Sequence, residues 1–127
     1  MPDTLQHLCG VPVLTCAPDG PIVRTDRDAM DLIGEAAYCG ARWAAVPDSR
    51  FDDAFFQLDT RVAGEIFQKF VTYRIGLAII GDISRHTIAS SALRDFVHET
   101  NQGRHVWLVP DVETLRRQLQ RTGLGTD

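Results

Sequence analysis

Apolar residues recur at helical spacing in the middle of the chain and are followed by a short, uninterrupted apolar run. Over residues 55–71 the apolar positions fall three or four apart, which predicts an amphipathic helix. Residues 77–80 form a continuous apolar run that is too short for a helix and ends at Gly81, which indicates a strand buried on both faces. A helix of this kind leading into a buried strand is typical of an α/β domain.

The other apolar segments predict four more strands, each bounded by turn residues. These strands are expected at residues 11–16, 21–24, 43–46 and 105–109. Pro12 indicates that the first strand lies at a sheet edge, because proline has no N–H to donate to a ladder. The turn residues at 18–20 join the first two strands as a hairpin.

Three further helices are predicted from their capping residues. Thr25 and Asp28 resemble a capping box at the start of the first helix. Ser90 or Ser91 caps a later helix, and Asp111 caps the last one. Residues 82–87 are expected to form a loop.

The start of the central helix has two alternatives. Asp52 or Asp53 could cap it, so that Phe55 and Phe56 lie within its first turns. Otherwise the helix begins at residues 59–60, after a separate turn that holds the two phenylalanines. Trp43 and Trp107, on predicted strands, are expected in the core.

The elements follow the order β-β-α-β-α-β-α-β-α. Right-handed crossovers between parallel strands then give a mixed, mostly parallel five-stranded sheet packed by helices. The 127 residues fit one α/β domain over residues 11–121, with a loose lead-in at 1–10 and a frayed tail at 122–127.

Composition and charge narrow the classes of function. The net charge of −4 argues against nucleic-acid binding, which needs a basic stripe. No apolar run approaches the ~20 residues of a membrane span, and the N-terminus lacks the features of a signal peptide. The three cysteines include no Cys-x-x-Cys pair, so neither a disulfide framework nor a structural metal site is predicted. We therefore expect a cytoplasmic protein with no cofactor, no metal, no nucleic-acid partner and no membrane contact.

Asp82, Ser84 and His86 are the candidate catalytic residues. They follow the buried strand at its carboxyl end, where open α/β sheets bind ligands. A carboxylate, a hydroxyl and an imidazole could supply a nucleophile and a base. The alternative is that Asp82 accepts hydrogen bonds from the amides of the turn while the other two side chains are solvated.

Other polar residues predict a binding surface for a partner or ligand. Glu65, Gln68 and Lys69 share one helix face beside Gly64, which costs about 1 kcal/mol in mid-helix relative to alanine and suggests a close approach to its backbone. The alternative is a solvated face with one Glu65–Lys69 ion pair. Near the end of the next helix, Glu99 and Asn101 are further candidates. Asn101 also suits a helix C-terminus.

An ordered string of residues resembles the signature of a bacterial family called domain of unknown function 4180. The string is Phe55-Phe56-x-Leu58-x-Thr60-x-x-Ala63-Gly64-Glu65-x-x-Gln68-Lys69-Phe70-x-x-Tyr73-Arg74, then Leu77-Ala78-Ile79-x-Gly81-Asp82, Leu93-x-Asp95-Phe96 and Glu99-x-Asn101-x-Gly103. The resemblance covers residues 32–119, and Arg61, His86 and Thr100 depart from the usual pattern. It implies a fold and no established activity.

The element order is also similar to that of STAS-like domains, of the anti-sigma-factor antagonist type. Such domains are phosphorylated on a serine at the start of the helix after the third strand, and Ser49 occupies about that place. Arg50 and Phe51 stand where small residues are usual. The resemblance implies Ser49 as a phosphoacceptor, and its alternative role is a helix N-cap.

The leading expectation is a small bacterial cytoplasmic α/β domain that acts by binding a protein partner or a small ligand rather than as an enzyme. A partner implies a homodimer or a hetero-complex. The runner-up is an enzyme, or an accessory enzyme subunit in secondary-metabolite biosynthesis, with its site near Asp82 at the carboxyl ends of the strands. The third possibility is a phosphorylation-controlled STAS-like regulator that uses Ser49.

Overall fold

Five strands form one sheet in which the spatial order follows the chain order. The computed structural model describes residues 3–122. The strands are β1 (Thr4–Leu8), β2 (Val11–Thr15), β3 (Trp43–Pro47), β4 (Gly76–Ile80) and β5 (Val106–Val109), in the order β1-β2-β3-β4-β5. β1 is antiparallel to β2, and every other pair is parallel. The predicted mixed, mostly parallel five-stranded sheet is therefore confirmed.

Residues 3–122 contain five α-helices. They are α1 (Asp26–Tyr38), α2 (Val62–Thr72), α3 (Ser84–Ala89), α4 (Ser91–Asn101) and α5 (Val112–Arg121). Three parallel strands added in sequence through right-handed crossovers place the connecting helices on the same face. Residues of α1, α2 and α4 accordingly share one hydrophobic cluster, whereas α5 packs on the opposite face. The α/β fold class is confirmed.

The sheet is buried on both faces in its interior. Leu77, Ala78 and Ile79 of β4 are at most 1% exposed, so the apolar run at 77–80 is the buried strand that its pattern predicts. On the α5 face the rings of Trp43 and Trp107 stack with their centroids 4.3 Å apart. The two tryptophans are core residues, as predicted.

The N-terminal hairpin lies earlier in the chain than the sequence predicts. Residues 4–8, expected as part of a loose lead-in, form β1 and pair with β2 through a tight turn at Cys9 and Gly10. Both turn residues have positive φ, 51° and 82°, as a type I′ turn requires. The predicted strand at 21–24 is wrong, since this segment contributes a single parallel bridge between Val23 and Phe51.

The prediction that Pro12 marks an edge strand is also wrong. β2 has β1 on one side and β3 on the other. Pro12 lies opposite His7, one position from the Leu8–Val11 pair that closes the turn, so its missing N–H faces away from β1. On the β3 side the register begins only at Val13 and Trp43, and the Pro12 carbonyl accepts a hydrogen bond from Arg42 N.

Two further predictions concern the start of the central helix before β4 and the loop after β4. α2 begins at Val62 after three 3₁₀ turns, and Phe55 and Phe56 lie in the second of them, which favours the later start. The predicted loop at 82–87 is wrong in part, because residues 84–89 form α3. This short helix has no buried residue, so its sequence lacks the apolar periodicity that predicts an amphipathic helix.

The predicted caps of three helices are present. Thr25 and Asp28 form both hydrogen bonds of the capping box, and Ser90 and Asp111 cap α4 and α5. No helix within the described ranges is long and apolar enough to cross a membrane. Of the predicted frayed tail at 122–127, residues 123–127 lie outside the described residues.

Candidate functional site

A groove of about 660 Å³ lies along α2 from Ala63 to Lys69 and extends to two neighbouring helices. Asp26 of α1 and Phe96 of α4 contribute to its walls. The residues from the 3₁₀ turns and α2 are Leu58, Arg61, Ala63, Gly64, Glu65, Gln68 and Lys69. We call this the α2 groove. It contains all four residues of the partner surface that the sequence predicts on this helix.

Gly64 faces open space in the α2 groove. A Cβ atom built at this position would have no heavy atom within 4 Å outside its own helix and chain neighbours. Packing within the chain therefore does not require a glycine, although glycine in a helix costs about 1 kcal/mol relative to alanine. The close approach that the sequence suggests is not made by any other described part of the chain.

The charged side chains of the groove are not paired with one another. No ion pair joins Glu65 to Lys69 within residues 3–122, contrary to the i, i+4 expectation. Gln68 donates a hydrogen bond to Thr72 Oγ1 at 3.2 Å. Arg61 precedes α2 in a left-handed conformation (φ 63°) and provides no side-chain cap.

Asp82 and Ser84 lie in a second cleft, of about 380 Å³, at the carboxyl ends of β4 and β5. The Asp82 carboxylate accepts a hydrogen bond from Ser84 N at 2.9 Å, and this bond holds the pKa of Asp82 below its ordinary value. Arg94, His98 and Asn101 also line this Asp82 cleft. The alternative role for Asp82, as an acceptor for the amides of the turn, is the one observed.

His86 is not among the residues of the Asp82 cleft. Its ring stacks on Phe56 with centroids 4.2 Å apart, and its Nε2 accepts a hydrogen bond from Arg85 Nε at 3.2 Å. Burial and the neighbouring Arg85 charge lower the pKa of His86. The three candidate catalytic residues therefore do not share one cleft, and a base acting on Ser84 is not formed by His86 in this arrangement.

Asn101 has a structural partner. Its Nδ2 donates to the Leu108 carbonyl at 3.0 Å, and its Oδ1 accepts from Leu108 N at 2.7 Å. The Asn101 side chain thus forms hydrogen bonds with both the backbone N–H and the carbonyl of Leu108 in the edge strand β5. Glu99 is exposed near the end of α4, and its role in partner binding stays a prediction.

Comparison with known protein families identifies the family of this chain. The family model described as Domain of unknown function (DUF4180) matches residues 9–119. The chain belongs to the DUF4180 family. No curated protein and no solved structure matches the chain, and the likeness to STAS domains is not shown.

Ser49 of this DUF4180 domain is exposed in the 3₁₀ turn after β3. Its Oγ donates a hydrogen bond to the Pro18 carbonyl at 3.4 Å, and it caps no helix. Phosphorylation of Ser49 stays a prediction. Across residues 3–122 no group of three or more metal-ligating side chains is arranged to hold an ion.

Five residues of the α2 groove in the DUF4180 domain were not predicted as site residues: Asp26, Leu58, Arg61, Ala63 and Phe96. Asp26 and Phe96 lie on other helices, so only the packing of α1 and α4 beside α2 brings them to Gly64. Leu58 and Arg61 immediately precede α2. The signal that could have found these two was their closeness in sequence to Gly64.

Proposed function

We propose that this DUF4180 domain binds a small amphipathic molecule in the α2 groove. The observation that carries the proposal is Gly64, which keeps a backbone position open in the α2 groove at a cost in helix stability. A volume of about 660 Å³ falls within the range of small-molecule sites.

The chemistry of the groove supports this class of ligand. Leu58 and Phe96 are half-buried, so each leaves apolar surface for the body of a ligand. Arg61, Lys69 and Glu65 place charges of both signs around that surface. Apolar surface with a few polar groups that fix orientation is typical of small-molecule sites.

Binding is favoured over catalysis for two reasons. The predicted acid–base group is divided, since Asp82 and Ser84 line one cleft while His86 stacks on Phe56. The α2 groove is the larger of the two cavities. An enzyme with its site near Asp82 remains the runner-up hypothesis, and it requires that Asp82→Ala abolish a turnover.

Two leucine variants test the proposal. Gly64→Leu fills the groove, whereas Gly34→Leu is a matched control, because Gly34 is also a helical glycine that faces open space but lies outside the groove. The probe is the fluorescent dye anilinonaphthalenesulfonate, which combines apolar rings with one anionic group. We expect fluorescence enhancement with the wild type and Gly34→Leu, and its loss with Gly64→Leu.

The controls make the outcome decisive. Both variants replace a helical glycine with a better helix former, so neither should lower the thermal unfolding midpoint. Dye binding by Gly64→Leu at the wild-type level would overturn the proposal. If the proposal is correct, a thermal-shift screen of small amphipathic compounds should identify compounds that stabilise the wild type and Gly34→Leu but not Gly64→Leu.

The proposal also includes a cellular location and an oligomeric state. A cytoplasmic location agrees with the absence of any disulfide among Cys9, Cys16 and Cys39, all of which are free. A homodimer or hetero-complex remains part of the expectation, and gel filtration with light scattering measures it. A strictly monomeric protein would remove the homodimer from the proposal and leave the ligand site untouched.

A further inference from the structure

Three arginines and a histidine converge on a cavity of about 380 Å³ at the amino ends of β3, β4 and β5. The cavity is lined by Arg42, Arg74, Arg104 and His105, together with Trp43, Val71 and Gly76. We call it the arginine cavity. It lies at the edge of the sheet opposite to the Asp82 cleft and has no residue in common with the α2 groove.

The strand register explains why residues so distant in sequence meet. Each arginine lies one or two positions before a strand, and the three strands are parallel neighbours. Gly76 N donates to the Arg42 carbonyl at 2.9 Å, and Leu77 N donates to the His105 carbonyl at 3.0 Å. The amino ends of the three strands are therefore aligned, and the residues before them lie side by side.

Arg74 occupies a backbone conformation that is unfavourable for its residue type. It follows α2 with φ 60°, and its N–H bonds to the Val71 carbonyl while Ile75 N bonds to the Phe70 carbonyl. Gly40 makes the equivalent connection after α1, with φ 78°. Glycine is the usual residue at this left-handed position. An arginine there costs about 1 kcal/mol or more, and such a cost is typical of functional positions.

The arginine cavity is a local concentration of positive charge on an acidic chain. The residues named above include no carboxylate, and neither Arg74 nor Arg104 takes part in an ion pair within the described part of the chain. Arg104 donates a hydrogen bond to the Thr122 carbonyl at 3.4 Å. Guanidinium groups stay protonated at all physiological pH values, so the cavity keeps its positive side chains across that range.

We propose that the arginine cavity binds the phosphate group of a small molecule. The planar guanidinium group presents paired N–H donors that match the oxygens of a phosphate. The volume of about 380 Å³ suits a compact ligand. A nucleic acid is disfavoured, because the net charge of −4 opposes a long phosphate backbone. This site is independent of the α2 groove.

Arg74→Gly is the decisive variant. Glycine at the left-handed position should raise the unfolding midpoint, so a loss of binding would not reflect a loss of folding. The probe is inorganic pyrophosphate, titrated by calorimetry at low salt. We expect a dissociation constant at least about tenfold weaker than that of the wild type, the size expected for the loss of one hydrogen-bonded charge.

Two further variants separate the site from general electrostatics. Arg27→Gln removes one positive charge from α1 at an exposed residue outside all three cavities, and it should leave pyrophosphate binding unchanged. Arg104→Gln should weaken binding as Arg74→Gly does. The proposal is overturned if Arg74→Gly binds pyrophosphate as the wild type does, if Arg27→Gln weakens binding equally, or if a short single-stranded oligonucleotide binds more tightly than pyrophosphate.

Discussion

The guanidinium group of Arg50 lies 3.9 Å from the carboxylate of Asp3, and both side chains are largely buried. Arg50 also donates from Nε to the Pro21 carbonyl at 2.6 Å and from Nη1 to the Ala17 carbonyl at 2.9 Å. Asp3 in turn accepts a hydrogen bond from Ala17 N at 2.8 Å. Among residues 3–122, Arg50 is the one charged residue in the buried class. It joins the start of β1 to the loop that precedes α1.

Arg50→Met should therefore destabilise the fold strongly. The variant leaves the Asp3 carboxylate without its cationic partner and the Pro21 and Ala17 carbonyls without the Arg50 donors. Breaking a buried ion pair costs about 3–5 kcal/mol. Urea unfolding monitored by tryptophan fluorescence measures the loss. Arg24→Gln is the control, because Arg24 pairs with Asp52 at 3.3 Å but its side chain is 63% exposed. That change should cost less than about 1 kcal/mol, and equal losses in the two variants would contradict the prediction.

Alanine substitutions should raise the free energy of unfolding at two glycines and lower it at a third. Gly34→Ala and Gly64→Ala meet no neighbouring atom and should each stabilise a helix by about 0.5–1 kcal/mol. Gly76→Ala should cost about 1–3 kcal/mol, because the new methyl group would overlap the indole ring of Trp43. That ring is held against Trp107 and cannot easily move. Chemical denaturation of the three variants checks the signs, and a stabilising Gly76→Ala would contradict this packing.

The capping box of α1 should make the free energy of unfolding vary with pH in the acid range. Hydrogen bonds from Arg24 N and Thr25 N hold the pKa of Asp28 below its ordinary value of 3.8. The contribution is therefore fully present above that value and is lost as the pH falls through the lower folded-state pKa. Asp28→Asn should show a smaller loss of stability in this acid range than the wild type. Identical pH profiles would show that the carboxylate is not coupled to folding.

Thr25→Ala tests the other half of the same capping box. Thr25 Oγ1 accepts a hydrogen bond from Asp28 N at 3.2 Å. Its removal should cost about 1 kcal/mol, as for other N-cap residues. Urea unfolding at neutral pH measures this cost, and a variant as stable as the wild type would be the contrary result.

The cysteines should differ sharply in their reactivity. Burial raises the pKa of the Cys16 thiol to about 12, so its reactive thiolate form is scarce at neutral pH. Cys39 is exposed at the end of α1. With a disulfide-exchange reagent at about pH 8, Cys39 should react first and Cys16 only when the protein unfolds. Mass spectrometry of the labelled peptides gives the order, and early modification of Cys16 would contradict its burial.

The features that the sequence predicts well depend on residues close together in the chain. The caps at Thr25, Ser90 and Asp111 each bond to the amide of the third residue that follows. Their patterns are visible in the sequence because both partners lie within one helical turn. The buried run of β4 is visible for a similar reason, since burial on both faces requires every residue to be apolar.

The features that were missed depend on contacts between distant residues or lack a pattern. β1 is exposed along most of its length, so it has no alternation of apolar and polar residues. The α2 groove needs Asp26 and Phe96, from two other helices, and neither shares a local motif with Gly64. Arg42, Arg74 and Arg104 became neighbours only through the parallel register of three strands.

The sequential strand order has a consequence for synthesis of the chain. Each strand pairs only with the strands just before and after it in the sequence. During synthesis, each new strand can therefore pair with the preceding strand as soon as it leaves the ribosome. The last helix, α5, would arrive after the sheet is complete. Until then the side of the sheet bearing Trp43 and Trp107 would be uncovered, which makes the fluorescence of these two rings a natural reporter of the final step.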